Sequence, residues 1–245
     1  GGGGVVKAAM RSGRKCIAAG PGNPPVVVDA TADINVAGIG IVRGASFDNN
    51  VICVDEKEVF VVDSVASELI KVMQENGAVL LKGRDVERLR KLVIHDGHTV
   101  RERVGRNAST YLDDLNISYT GDPRLIIAEV KADHDFVQHE LLMPILGIVR
   151  VPNVDVAIEE AMKAEHGFRH TASMYSRDLD ALHKMANAFD GSVFVKNAPN
   201  YAGLGFGGEG YTSFTIASPT GEGMTTVENF TRVRRCTLAG YFRIV

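Results

Sequence analysis

The chain has 245 residues, 45% of them hydrophobic and 23% charged, with a formal net charge of −3. That length and composition belong to a globular protein able to bury a full core, as one large domain or two small ones. The charge gives no electrostatic reason to expect a nucleic acid or an anionic membrane as partner, and no apolar run approaches the roughly 20 residues of a membrane helix.

In chain order, Val5 to Arg11 reads as a short helix opened by Gly1 to Gly4 and ended by Gly13. Val26 to Val28, after two prolines, is a fully apolar run and predicts a buried strand. Ile34 to Ser46 places apolar and small residues at helical spacing, and Val59 to Val62 predicts another buried strand. Ser64 is the expected cap of a helix whose Val65, Leu69, Val72 and Met73 share one face, with Gly77 as its stop. Leu81 to Asn107 is charged and helical in character, and a polar, poorly patterned stretch follows to about Pro123. Leu125 to Val130 and Ile145 to Val151 read as strands. Asn153 caps a helix carrying Ala157, Ile158, Ala161 and Met162, and Leu179, Leu182, Ala186 and Phe189 mark the next. Ser192 to Val195 returns as a strand, glycine-rich loop follows Asn197, and a last strand is expected around Arg234 to Leu238. Strands alternating with helices imply a three-layer α/β domain with a mostly parallel sheet.

The three cysteines, Cys16, Cys53 and Cys236, are odd in number and scattered, which fits a reducing, cytoplasmic compartment and no disulfide framework. None sits in a CxxC pair and the histidines lack ligand spacing, so no metal site is expected; His166 and His170, separated by Gly167, read as local structure. The glycine start has neither a basic n-region nor an apolar h-region, so no secretory signal is expected. Gly203 to Gly208 match G-x-G-x-x-G, but strand formers and glycine follow instead of the helix whose N-terminus would hold a pyrophosphate. Gly1 to Gly4, with a helix behind them, are the better phosphate candidate; the alternative reading of the run is a disordered end.

Cys53 is the residue that carries chemistry. It follows the small, amide-rich segment Gly44-Ala45-Ser46-Phe47-Asp48-Asn49-Asn50 and precedes a strand, where a nucleophile is both exposed and held. A lone cysteine is otherwise a buried small hydrophobe. Several separated words decide between the two readings: GGGGVVKAAMRSG, GNPPVVVD, GASFDNNVICVDEKEV, HELLMPILGIVRV, EHGFRHTASMYS, the glycine-rich segment from Val193 and RRCTL. In this order they resemble the CoA-acylating aldehyde dehydrogenases over essentially the whole chain.

The resemblance implies NAD-dependent oxidation of a short aldehyde to acyl-CoA through a Cys53 thioester, with NAD and coenzyme A as cofactors. It implies that the glycine segment, including Gly2, lies under the NAD pyrophosphate and that Glu140 holds the nicotinamide ribose; the alternative for Glu140 is a solvated carboxylate near Pro144. The family's Rossmann domain and assembly hairpin come mostly from residues before the glycine segment. The chain is therefore expected to be a C-terminal catalytic half, with residues 1–18 a remnant of the cofactor domain, 19–225 the catalytic domain and 226–245 a tail strand. Homo-oligomerisation of the full-length protein and the lumen of a bacterial microcompartment are the family's usual settings.

Asn50 and Asn197 are read as orienting the nucleophile loop or the substrate, or else as loop-closing amides, and Phe47, Phe206 and Phe214 as lining an apolar pocket. Hydrolytic relatives carry a glutamate where this chain has Ala19. Water needs a base near neutrality, whereas a thiol of pKa about 8.5 largely does not, so Ala19 favours transfer to a thiol. Alternative readings are a non-catalytic module binding acyl thioesters or a partner, and a different superfamily member such as an acyl-phosphate reductase.

Overall fold

The computed structural model describes residues 2–240, so Gly1 of the glycine run and residues 241–245 of the expected tail lie outside it. The elements are α1 (Gly3–Met10), β1 (Pro25–Val28), α2 (Ile34–Ala45), β2 (Glu58–Val62), α3 (Asp63–Glu75), β3 (Ala78–Leu81) and α4 (Arg84–Val93). Then come β4 (Ile94–His95), β5 (His98–Thr99), α5 (Ala108–Asp114), β6 (Leu125–Glu129), α6 (Asp135–Gln138), β7 (Ile145–Val151) and α7 (Val154–Ala164). The last are β8 (Thr171–Tyr175), α8 (Leu179–Phe189), β9 (Val193–Lys196), β10 (Ile216–Ala217) and β11 (Gly223–Met224).

Seven strands form one sheet in the order β3-β6-β7-β2-β1-β8-β9, and every neighbouring pair is parallel. Parallel strands covered on both faces need apolar residues at successive positions, and β1 and β2 are buried throughout. Side chains alternate between the faces. Val26, Val28, Val59, Val61 and Tyr175 pack with α2 and α3 on one side. Val27, Phe60, Val149 and Met174 pack with α7 and α8 on the other, and α4 and α5 extend that layer over Ile126 and Ala128. The three-layer, parallel α/β architecture is the one expected.

Several local expectations are corrected. Helix α1 starts at Gly3, two residues early. Ser64 lies inside α3, whose N-cap is Val62 with no side-chain bond; Asn153 does cap α7, accepting from Val156 N–H at 3.0 Å. The Leu81–Asn107 stretch is helical only through α4 and then folds into the β4–β5 hairpin, where Asp96 and Gly97 take the left-handed φ of 49° and 73° that a tight hairpin turn demands. Strand β3, helix α5 and strand β8 had no sequence signal. The strand expected at Arg234 to Leu238 is not formed: these residues are irregular, exposed and outside any ladder, and a strand without a partner has nothing to hold it. Gly205 and Gly207 turn at φ 90° and 76° with no α-helix after them among the described residues, so the rejected dinucleotide fingerprint stays rejected. No described helix is long and apolar enough to cross a membrane.

One consequence of the topology matters most for chemistry. Strands β7, β2, β1 and β8 are consecutive in the sheet and point the same way. The segments leading into them, which carry Glu140, Cys53, Gly22 and His170, are therefore brought side by side at the N-terminal edge of the sheet.

Candidate active site

Cys53 sits in the connection from α2 to β2. The close of α2 is tight: a Cβ on Gly44 would collide with the Glu56 carboxylate. The chain then makes a short turn over Phe47–Asn50 in which Asp48, Asn49 and Asn50 have φ of 44°, 54° and 65°. Asn and Asp tolerate this region best, but three in succession store strain of about 1 kcal/mol or more per residue.

Side chains hold that strain in place. Asn49 Nδ2 donates to the Gly105 carbonyl at 3.1 Å and to Asn107 Oδ1 at 2.9 Å. Asn50 Nδ2 donates to the carbonyls of Ala45 and Glu56 at 2.9 and 2.8 Å. Lys57 is 3% exposed. Its ammonium donates to the Asn50 carbonyl at 2.9 Å, to Asn50 Oδ1 at 2.7 Å and to the Ile52 carbonyl at 3.2 Å. All three of its hydrogens are committed to the loop. Asn50 thus ties the Cys53 loop to the ends of α2 and β2.

The charges around Cys53 oppose one another. Burial raises the thiol pKa, the Glu140 and Asp55 carboxyls raise it further, and the Lys57 ammonium pulls it down. Burial also lifts Glu140, against Lys57 and the Gly22 N–H. Asp55 is lifted to about 7 and Glu56 to about 8, both chiefly by burial. Lys57 is lowered by burial and partly restored by Asp55, Glu140, Cys53 and Glu56. The resting site holds a half-buried thiol, and bringing it to thiolate depends on the buried ammonium.

Cys53 is partly buried against the cluster of Val54, Val193, Val195, Ala202, Leu204 and Ile216. Beyond it, Phe47, Tyr201, Leu204, Gly205, Phe206, Thr212 and Phe214 line a cavity of about 220 Å³. Phe47 and Tyr201 rings lie 5.5 Å apart and Tyr201 and Phe206 rings 5.3 Å apart. The three phenylalanines singled out in the sequence therefore share one aromatic-lined cavity, tied to the Cys53 loop through Phe47.

Other sequence candidates fall as follows. Glu140 is not the solvated carboxylate of its alternative reading; it is partly buried, close enough to Cys53 and Lys57 to shift both. Gly2 is the N-cap of α1, and nothing lies within 4 Å of where a Cβ would stand on Gly2, Gly3 or Gly4, so the helix start is open to a ligand. Asn197 is a clamp: its side chain accepts from Ser176 N–H at 2.8 Å and donates to the Ser176 carbonyl at 2.9 Å, joining the ends of β8 and β9. No group of three or more described His, Cys, Asp or Glu residues could hold a metal.

Two residues were missed. Lys57 lies in Asp55-Glu56-Lys57-Glu58, a run that reads as a solvated face, yet all four are buried. His170 is 0% exposed. A Cβ on Gly22 would lie 3.0 Å from both the His170 ring and the Cys53 carbonyl, so glycine lets these two groups approach. Burial lowers His170 to about 4, which leaves it uncharged near neutrality. For Lys57 the sequence signal was the charged cluster placed directly after Cys53, which apolar periodicity does not report; His170 had none.

Residues 2–235 match the aldehyde dehydrogenase family. The chain is 48% identical to the acetaldehyde dehydrogenase (acetylating) EutE of Salmonella typhimurium, over all of this chain and 54% of that protein. Among solved structures, Rhodopseudomonas palustris propionaldehyde dehydrogenase with bound CoA and an acylated cysteine matches with a TM-score of 0.94 at 48% identity, covering 97% of this chain and 55% of that one. An engineered glycolyl-CoA reductase with bound NADP+ gives the same TM-score of 0.94 and 48% identity, covering 97% of this chain and 54% of its own. The chain spans about half the length of the curated relatives it matches.

Proposed function

The chain belongs to the aldehyde dehydrogenase family, and from that premise we propose that it carries the catalytic domain of a CoA-acylating member. The reaction is oxidation of a short-chain aldehyde to its acyl-CoA with a nicotinamide dinucleotide as oxidant. The observation that carries this reading is the thiol of Cys53 on a strained, side-chain-locked loop, with a buried ammonium acting on it and an aromatic-lined cavity beside it.

In this reading the Cys53 thiolate adds to the aldehyde carbon, forming the C–S bond of a thiohemiacetal as the carbonyl oxygen takes the charge. The backbone N–H of Cys53 is available to that oxygen. Loss of hydride from the same carbon leaves a thioester on Cys53. Attack by the CoA thiolate breaks the C–S bond, giving acyl-CoA and returning the Cys53 thiolate. The Lys57 ammonium favours the thiolate in each half of the cycle, and the uncharged His170 is a proton acceptor held against Gly22 beside the same loop. Phe47, Phe206 and Phe214 suit a short apolar acyl chain, and Ala19 stands where hydrolytic relatives carry the glutamate that activates water.

The start of α1 at Gly2, with its free N–H groups and no first-turn acid, suits a pyrophosphate, and Glu140 suits the nicotinamide ribose. Bound there, the dinucleotide supplies the hydride acceptor. NAD is the proposed form. Residues 1–18, 19–225 and 226–245 are assigned to the cofactor-domain remnant, the catalytic domain and an assembly tail of a longer, homo-oligomeric parent. By family resemblance, its place is the cytoplasm or a microcompartment lumen.

The test is acyl-CoA formation by the parent protein from acetaldehyde or propionaldehyde, NAD and CoA, followed as NADH absorbance. Loss of turnover in Cys53→Ala supports the reading; turnover retained in that variant ends it. Ala19→Glu is expected to raise the ratio of free acid to acyl-CoA.

A further inference from the structure

Behind the Cys53 loop lies a second polar cluster, and the chemistry above uses only its His170. Phe60 faces α7, and alternation puts Glu58 of the same strand on that side, opposite Pro25 of β1 and Gly147 of β7. Asn23 reaches under the same layer: its Nδ2 donates to the carbonyls of Val137 and Ala164 at 2.8 and 2.9 Å, at the ends of α6 and α7. Glu165, the residue after α7, accepts from His170 N–H at 3.2 Å and acts on the Glu58 carboxyl.

Within this cluster Asn23 Oδ1, both Glu58 oxygens and His170 Nε2 are buried and without a hydrogen-bond partner. Their residues are 1%, 0% and 0% exposed. Leaving such a group unpaired costs about 1–3 kcal/mol, so unpaired atoms buried on adjoining segments call for a shared ligand. The His170 Nδ1 is engaged with Thr171 Oγ1 at 2.9 Å. With the imidazole uncharged and Nδ1 carrying the hydrogen, Asn23 Oδ1 and His170 Nε2 are both acceptors. Burial and the Glu165 carboxyl raise Glu58 well above the ordinary range, so it holds its proton and offers one donor. One water pairs three of the four: it donates to Asn23 Oδ1 and His170 Nε2 and accepts from the Glu58 hydroxyl, while the Glu58 carbonyl oxygen stays unpaired.

We propose that Asn23, Glu58 and His170 enclose a binding site for one internal water, and that Glu58, acting through this water, positions His170 with its Nε2 lone pair facing the site. Glu58 is thus a positioning residue. Its bearing on catalysis rests on the assignment of Cys53 as nucleophile, since Gly22 alone separates the His170 ring from the Cys53 carbonyl.

The test combines a crystal structure that resolves buried waters with the ¹⁵N spectrum of His170. Expected are a water within hydrogen-bond distance of all three side chains and a single tautomer protonated at Nδ1. Glu58→Gln keeps both, because the amide donates where the acid did. Glu58→Leu expels the water and loses the single-tautomer signature. A direct Glu58–His170 bond with no water, a cation in the water's place, a proton on Nε2, or loss of the tautomer in Glu58→Gln would overturn the proposal; so would an unchanged spectrum in Glu58→Leu. If Glu58→Leu does not fold, the parent and the Gln variant decide the matter. Failure of Cys53 to react with iodoacetamide would count against the nucleophile assignment alone, because neither the density nor the ¹⁵N shift passes through the thiol.

Discussion

Residues 46–57 and residues 205–240 are both mostly turns and loops, and both rely on left-handed backbone, but they achieve it by opposite means. In the first, Asp48, Asn49 and Asn50 are forced to positive φ and held there by Asn49, Asn50 and the buried Lys57. In the second, Gly205, Gly207, Gly210, Gly221, Gly223 and Gly240 supply the same conformation without steric cost. Phe206, Val227 and Val233 meanwhile stand 68%, 80% and 101% exposed. A strained loop persists only where its surroundings over-determine it, and here they do so around one sulfur. The glycine-rich region can open at small cost in free energy; the nucleophile loop opens only when the core does.

The sharpest way to break this comparison is at its centre. Cys53→Ser in the parent protein is expected to abolish acyl-CoA formation while leaving thermal unfolding nearly unchanged, since one half-buried atom changes. Next in size is Lys57→Met, which leaves two carbonyls and Asn50 Oδ1 without their donor and nearby carboxyls without a buried countercharge. Breaking such a buried arrangement costs about 3–5 kcal/mol. Chemical denaturation should record that loss, and alkylation of Cys53 at neutral pH should slow because the thiolate loses its cation. Unfolding unaffected in Lys57→Met would show that the loop is held by something other than the ammonium.

Protons offer a gentler probe of the same loop. Asp55 and Glu56 are raised in the folded state, to about 7 and about 8. Their stabilising contribution is therefore complete below the unfolded carboxylate range and is lost as pH rises through those values. His170, lowered to about 4, works the other way, its contribution being present above about 6.5 and lost as pH falls. Between pH 6.5 and 8 the carboxyls act alone, and stability falls with a slope of at most about 1.4 kcal/mol per pH unit per group. Glu56→Gln should flatten that decline, by up to about 2 kcal/mol across the window, in melting curves taken at both ends. An equally steep decline in the variant would mean that Glu56 is ionised in the folded protein.

The same contrast explains what could be read from the chain in advance. Strands β1, β2, β6 and β7 were visible because their residues are apolar at successive positions, as a doubly covered sheet requires. Strand β8 was not, because Thr171 and Ser173 are fully buried polar residues that interrupt any such run. Cys53 and Glu140 were found by resemblance, and the structure brings them together. Lys57 and His170 were hidden because charged and imidazole side chains are ordinarily solvated; only the fold reveals that both lie buried, each one residue before a strand of the sheet. Asn197 had two readings and proved to be the clamp. The tail strand at Arg234 to Leu238 failed because strand propensity does not supply the neighbour that a ladder needs.

The smallest effects test the comparison most directly, because one residue type occurs in both regions. Asn49→Ala removes two hydrogen bonds and places alanine at a φ of 54°, which together cost about 2 kcal/mol. Asn229 makes similar bonds in the tail: its Oδ1 accepts from Thr226 N–H at 2.6 Å and Thr226 Oγ1 at 3.3 Å, closing a capping box over Val227–Phe230. That turn is short and its Val227 and Phe230 are 80% and 59% exposed, so water replaces the lost acceptor at once. Asn229→Ala should therefore cost about 0.5 kcal/mol or less, near the lower limit for a lost cap, and leave the rate of Cys53 alkylation unchanged. The two variants, melted side by side, measure what the left-handed backbone of Asn49 adds to an otherwise similar pair of amide bonds. Equal losses would mean that the tail is packed as firmly as the nucleophile loop, and the contrast between strained and glycine-borne turns would lose its energetic basis.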